Sequence, residues 1–254
     1  MLSELCALAL EHVGFSVTRT FDISSSVIHT AITSGDIDLY PEYTGTALIS
    51  ILKDAVETDP EKAYERVKEQ YLEQFDLEVL NRAEATDSQG LVIATRAAKQ
   101  YGISTISELQ QHASDLRFAS QGEFDEREDG MPALEQTYGP FAWKSSRVYD
   151  NSLKYEVLKN DEADVAPAYT TEGRLTETDT YTLLEDDKHV WPPYNVIPVV
   201  RASVLSEHPE ISAALNAVLT TSELTKLNTE VDIDKEDFEG VAATYFDDNI
   251  KDQL

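Results

Sequence analysis

Four short apolar runs, LEVL (77–80), GLVIAT (90–95), LRFAS (116–120) and ADVAPAY (163–169), are separated by stretches whose apolar residues recur at helical spacing. Runs this short suit buried strands better than buried helices. Strands that alternate with helices commit the chain to an α/β architecture, with parallel pairing through helical crossovers as the expected arrangement. A length of 254 residues accommodates two such halves, and no internal repeat or low-complexity segment interrupts them.

The remaining segments follow from local pattern. Residues 2–13 carry apolar side chains at helical spacing until Gly14 stops the helix, and FSVTRTFD (15–22) then reads as a strand. Ser24, Ser25 and Ser26 form a turn that caps a second helix through VIHTAITSG (27–35). DIDLYPEY (36–43) begins as a strand, and Pro41 is expected to end its sheet pairing. A long helix over 58–74 puts Tyr64, Val67 and Tyr71 on its core face. Pro192 and Pro193 hold an extended backbone suited to a hinge, after which VIPVV (196–200) returns as a buried strand. PEISAALNAVLTT (209–221) and KEDFEGVAATYFDDNI (235–250) close the chain as paired helices.

Charge narrows the possible partners. The 48 Asp and Glu against 20 Lys and Arg give a formal net charge of −28, spread along the chain. Such a surface repels nucleic-acid phosphates and anionic membranes, and it suits a protein working in high salt, which screens the self-repulsion. Cys6 is the single cysteine, so no internal disulfide and no cysteine-based metal spacing exists, and a helix-buried thiol is its expected state. No run of about 18 apolar residues is present to span a membrane.

Enzyme chemistry finds little purchase. The sequence lacks Gly-x-Ser-x-Gly, HExxH and Gly-rich phosphate-loop patterns, and its five histidines are scattered. Glu185, Asp186 and Asp187 are adjacent, but three consecutive acids on an extended chain cannot all turn toward one cation, so neither metal nor cofactor is expected. The twelve tyrosines outnumber the eight phenylalanines. Three of them, Tyr43 in YPEYTGT, Tyr169 in ADVAPAYTTEG and Tyr194 in WPPYNV, sit beside backbone-restricting residues. Rings held this way either pack in the core or form a preorganised cage for a quaternary ammonium, each cation–π contact contributing about 0.5–2 kcal/mol.

SGDIDLYPEYTGTAL (34–48), FDEREDGMPALEQTYG (124–139), ADVAPAYTTEGRL (163–175) and LLEDDKHVWPPYNVIPVVR (183–201) together resemble the osmoprotectant-binding proteins of ABC importers, the receptors for glycine betaine, choline and carnitine. The resemblance runs over nearly the whole chain. It implies an α/β, two-lobed type II periplasmic-binding-protein fold with the ligand cleft between lobes, and a receptor rather than an enzyme. Lobe one would comprise 1–88 and 196–254, and lobe two 89–195. The resemblance assigns Tyr43, Tyr169 and Tyr194 to the cage, Thr46 to the ligand's polar end, and Arg127 to a betaine carboxylate. As a surface residue, Arg127 would instead pair with Asp125, Glu126 or Glu128.

Two departures from the family pattern stand out. Where family members carry a further cage tyrosine, DSQGL (87–91) offers Gln89, with Asp87 beside it as a carbonyl or carboxylate ligand. The loss of one ring corresponds to about 1–2 kcal/mol of cation binding, or a change of ligand. The family also begins with a strand ahead of its first helix, whereas this chain starts inside that helix, at MLSELCALALEHVG. The first strand, part of the site and any signal or lipid anchor are therefore expected to lie outside this sequence, and lobe one must otherwise borrow a strand. The expected protein is a monomeric, extracytoplasmic receptor that delivers glycine betaine to a membrane permease. Choline, carnitine, proline betaine and ergothioneine are the rival ligands, and a sensor domain of the same fold is the rival role.

Overall fold

The computed structural model describes residues 1–21, 23–215 and 220–254. Eight strands are present among them: β1 Leu39–Tyr43, β2 Leu77–Val79, β3 Gln89–Ala94, β4 Arg117–Ser120, β5 Ser145–Val148, β6 Val165–Tyr169, β7 Tyr181–Leu183 and β8 Val196–Arg201. Chain contacts divide the molecule into two compact units, one of Met1–Asp87 with Pro192–Leu254 and one of Ser88–Trp191. Residues 192–195 therefore belong with unit one.

Unit one is built on a three-stranded sheet of order β1-β8-β2, antiparallel throughout. Because successive side chains of a strand face opposite ways, β8 serves two cores at once. Val196 and Val200 pack with Leu5 and Leu10 of the helix Leu2–His12 and with Phe246 of the helix Phe238–Asn249. Ile197 and Val199 pack with Tyr64, Val67 and Tyr71 of the helix Pro60–Phe75, which starts where Asp59 accepts the Glu61 and Lys62 N–H groups.

Two sequence expectations fail here, each for a physical reason. Pro41 does not end the pairing: β1 runs through it to Tyr43. Its register partner is Pro198, and the bonds from Thr44 N–H to Asn195 O and from Arg201 N–H to Asp38 O place the ladder bonds at even-numbered β1 positions. Two prolines face each other where the β1–β8 ladder uses neither N–H. The segment 15–21 is not a strand either. It keeps the alternation of one, with Phe15, Val17 and Arg19 half-buried and Ser16, Thr18 and Thr20 exposed, but no described strand lies beside it to pair. Of the expected closing helices, the first is described as Glu210–Ala214, and residues 216–219 lie outside the described residues, as do the side chains of Ser25 and Ser26.

Unit two carries a five-stranded sheet of order β5-β4-β6-β3-β7. Parallel pairing is confined to β4 with β5 and with β6, whereas β3 runs antiparallel to both of its neighbours. The expectation of a parallel architecture thus holds only where a helical crossover joins the strands. Strand β3 is entered directly from residue 88, so no crossover forces it parallel.

Asp164, which is 5% exposed, fastens β4 to β6. Its carboxylate accepts the Arg117 backbone N–H at 3.0 Å, Arg117 Nε at 2.8 Å and an Arg96 guanidinium nitrogen at 2.8 Å. Burial alone would raise its pKa, but the bonds from Arg117 and Arg96 outweigh that and hold it well below the usual carboxylate range. A depressed folded pKa means stability that is present above the unfolded value of about 3.9 and lost as pH falls below it. Because both arginines are partly exposed, solvent screening reduces the interaction. Asp164→Ala is expected to cost about 2 kcal/mol in urea unfolding at neutral pH, and to flatten the acid limb of the stability profile of the wild-type chain.

Candidate ligand-binding site

In unit one the backbone leaves β1 at Tyr43 and turns through a short helical stretch, Thr44–Thr46, into the π-helical turn Ala47–Ile51. This turn is fastened to the returning chain by Thr44, whose side chain is buried. Its hydroxyl donates to Pro193 O at 2.7 Å and accepts the Asn195 N–H at 3.0 Å. Asn195 in turn donates through Nδ2 to the carbonyls of Ala83 at 3.1 Å and Glu84 at 3.3 Å. Between these fixed points lies Tyr194, 3% exposed, with its N–H donated to Thr86 Oγ1 and its carbonyl accepting the Asp87 N–H at 3.0 Å.

Gly45 explains how the Tyr194 ring fits. A Cβ at position 45 would stand 2.8 Å from two atoms of that ring, closer than real side chains approach. Only the bare backbone leaves room. Tyr43, Thr46, Asp87 and Tyr194 are thus brought to one corner of unit one, although about 150 residues separate Tyr43 from Tyr194. Tyr43, Thr46 and Asp87 are half-buried there.

In unit two, Gln89 on β3 and Tyr169 on β6 are register partners. Gln89 is buried, whereas Tyr169 is 40% exposed at the end of its strand, where a turn closed by Glu172 N–H on Tyr169 O follows. With Gln121, Phe124, Arg127 and Lys154 they line a small cavity of about 30 Å³, room for a water or two. Three of the seven residues singled out in the sequence therefore meet in unit two and four in unit one.

Arg127 does not present an empty fork to this cavity. Its Nε and one terminal nitrogen each donate at 2.8 Å to the carboxylate of Asp129, which is 5% exposed, and its other nitrogen lies 3.5 Å from Glu123. The bidentate partner is Asp129, beside the neighbours considered in the sequence, Asp125, Glu126 and Glu128. Asp129 also holds the cavity wall through its carbonyl, which accepts Trp191 Nε1 at 2.7 Å. Lys154 was not foreseen in the sequence. It is 3% exposed, bonded to Glu172, whose other oxygen accepts the Tyr155 hydroxyl.

The acid triplet Glu185–Asp187 is spent on structure: Asp186 accepts the Trp191 N–H and the Tyr138 hydroxyl, and Asp187 accepts the Ser107 N–H. Among the described residues no group of three or more His, Cys, Asp or Glu is arranged to hold a metal.

Glu42 is the titratable group nearest Tyr43 in sequence. Its carboxylate is 5% exposed, accepts the Tyr43 N–H at 2.7 Å and the Tyr40 hydroxyl at 3.0 Å, and has no cation in its described ion pairs. Burial pushes its pKa up to about 7, against the lowering effect of those two bonds. A raised carboxyl pKa means that the folded state binds more protons than the unfolded one between about pH 4.3 and 7, so stability falls as pH rises through that window. Urea titrations at about pH 5 and pH 8 are expected to show a smaller loss across the window for Glu42→Gln, which stays neutral, than for the wild-type chain.

Residues 1–248 match the family model described as the substrate-binding domain of ABC-type glycine betaine transport systems. The chain is 32% identical to a glycine-betaine-binding protein of Pseudomonas aeruginosa, covering 96% of this chain and 82% of that one. It is 29% identical to an ergothioneine transport permease and binding protein of Helicobacter pylori, where 97% of this chain spans only 45% of that protein. A crystal structure of a glycine betaine/carnitine/choline ABC transporter protein superposes with a TM-score of 0.84 at 29% identity, covering 97% of this chain and 93% of that one.

Proposed function

The chain belongs to the family of substrate-binding domains of ABC-type glycine betaine transport systems, and from that premise we propose that it captures a quaternary ammonium solute, glycine betaine first among them, and passes it to an ABC permease. The family consists of transport receptors, and no enzymatic role attaches to it. Its members act outside the cytoplasm, and a lipid anchor or signal region beyond this sequence would keep the receptor at the membrane. No described helix is long and apolar enough to cross one.

The observation that carries the reading is the convergence of Tyr43, Thr46, Asp87 and Tyr194 on one fixed corner of unit one. In this reading Tyr43, Tyr194 and Tyr169 supply ring faces to the trimethylammonium group, Thr46 and Asp87 meet its polar surroundings, and Gln89 replaces one ring with an amide. Rigid aromatic placement suits such a ligand because little ordering remains to be done on binding. Short-range cation–π contacts also persist in the high salt that a chain of net charge −28 favours.

A second ligand has one observation in its favour. Arg127 and Lys154 are both engaged by carboxylates, and these two cations stand with three acids, Glu123, Asp129 and Glu172. Such a balance favours a cation without a carboxylate, such as choline, over a zwitterion.

Isothermal titration in high salt with glycine betaine and with choline tests both readings. Saturable binding of either is expected, weakened about tenfold or more by Tyr169→Ala. Gly45→Ala, whose added Cβ displaces the Tyr194 ring, is expected to weaken binding as well. Tighter choline than betaine would identify the plain cation as the ligand. No heat with either, from a chain that unfolds cooperatively, would overturn the quaternary ammonium assignment.

A further inference from the structure

Strand β1 turns Tyr40 and Glu42 to one face of its sheet, toward the core shared with the helix Pro60–Phe75, and Tyr43 to the other. Glu42 is nevertheless tied to the tyrosine corner. One of its carboxylate oxygens accepts the Tyr43 N–H at 2.7 Å, while the other accepts the Tyr40 hydroxyl at 3.0 Å. A buried acid therefore stands directly behind the backbone of a candidate cage ring.

The titratable groups around it do not supply a balancing charge. Tyr40 and Tyr71, the latter on the helix Pro60–Phe75, are phenols whose pKa is raised by burial and then by the Glu42 charge, so both stay neutral. His29, on the helix Ser25–Ser34, packs its ring across that of Tyr71 with centroids 5.6 Å apart, and burial lowers its pKa. Tyr64 adds a third phenol to this core, and Lys68 is engaged over the Tyr64 ring, 5.5 Å from its centroid. From β8 the register partner is apolar Ile197. Two hydrogen bonds hold the carboxylate in place, and among the described residues no ion pair joins it.

Resting on the quaternary ammonium reading above, we propose that Glu42 is the counter-charge of the site: it keeps its proton in the free receptor and releases it to solvent as the ligand's cation binds at the corner, so that one positive charge is exchanged for another. A cation on the Tyr43 side of the strand favours the ionised carboxylate, and between buried groups that attraction is little screened by water or salt. Ligands are then selected for charge as well as for shape. A neutral molecule of the same outline can fill the rings but gives Glu42 no reason to ionise.

The proposal has a readout that packing alone does not produce. A trimethylammonium group has no proton to lose, so a proton released on binding comes from the protein. Free Glu42 titrates at about 7, and a cation that lowers this value makes affinity rise with pH up to about 7 and level off above it. Surface carboxylates titrate near 4, below that window, and high salt screens them.

Isothermal titration in high salt, in two buffers of different ionisation enthalpy, counts the protons. The ligands are choline, glycine betaine and the neutral isostere of choline in which carbon replaces nitrogen. With the wild-type chain, choline is expected to release about half a proton at about pH 6.5 and to bind about tenfold more tightly at pH ~8 than at pH ~5. Betaine, whose own carboxylate offsets its cation, should release less, and the isostere none. Glu42→Gln is expected to bind choline with little dependence on pH and without proton release. Binding of choline or betaine with no proton exchange, equal release with the isostere, or an unchanged pH dependence in Glu42→Gln would overturn the counter-charge while leaving the quaternary ammonium reading intact. Failure of choline and betaine to bind at all would overturn both.

Discussion

The pairing of β1 with β8 is the interaction on which unit one depends. It joins residues 39–43 to residues 196–200, so the returning chain is committed to one place before any side chain of the corner is considered. Thr44 continues that pairing with its side chain, bonding to Pro193 and Asn195 just beyond the last register pair. Tyr194 is then carried to the backbone of Gly45 without choice in the matter. A corner made this way has its precision from the sheet, and the loop residues contribute by fitting tightly against it.

Much of this was legible in the sequence and some was not, along a clear physical line. Helices with a wide apolar stripe announced themselves, as Tyr64, Val67 and Tyr71 show, because the signal is local and repeats every turn. The continuous apolar runs that became β3, β6 and β8 were equally plain. The candidate tyrosines could be named from their rigid neighbours, but the grouping of the seven candidate residues into four in one unit and three in the other depends on long-range contacts that no local pattern reports. Thr44, Gly45, Asn195 and Lys154 were missed for the same reason. A threonine that staples two segments about 150 residues apart looks like any other threonine until its partner is known. Pro41 was misjudged because proline is costly only where its missing N–H would have been used. The segment 15–21 was called a strand on alternation, and the alternation is real, but strand character also needs a neighbour.

Two buried carboxylates show how an intensely acidic chain treats charge in its interior. Asp164 is surrounded by donors from two arginines and remains ionised, so it works as a clamp. Glu42 has only a hydroxyl and a backbone N–H, and it responds to burial by holding its proton more tightly. The two residues differ by the presence of a guanidinium, which decides whether a buried acid acts as an ionic tie or as a hydrogen-bonding group that takes up its proton more readily. High salt weakens the long-range repulsion of the surface far more than it weakens the close bonds at Asp164.

The facing prolines of β1 and β8 make the register of that sheet tolerant of only one parity. If β1 slid by a single residue along β8, Pro41 would take a position where the ladder needs an N–H, and every β1 side chain would exchange faces. A slide by two residues keeps the prolines harmless but moves Tyr43 by about 7 Å along the sheet. Errors in this sheet are therefore discrete: the strand is seated correctly or it is displaced by a whole side chain's length, with no continuum of small misplacements in which the tyrosine corner could drift.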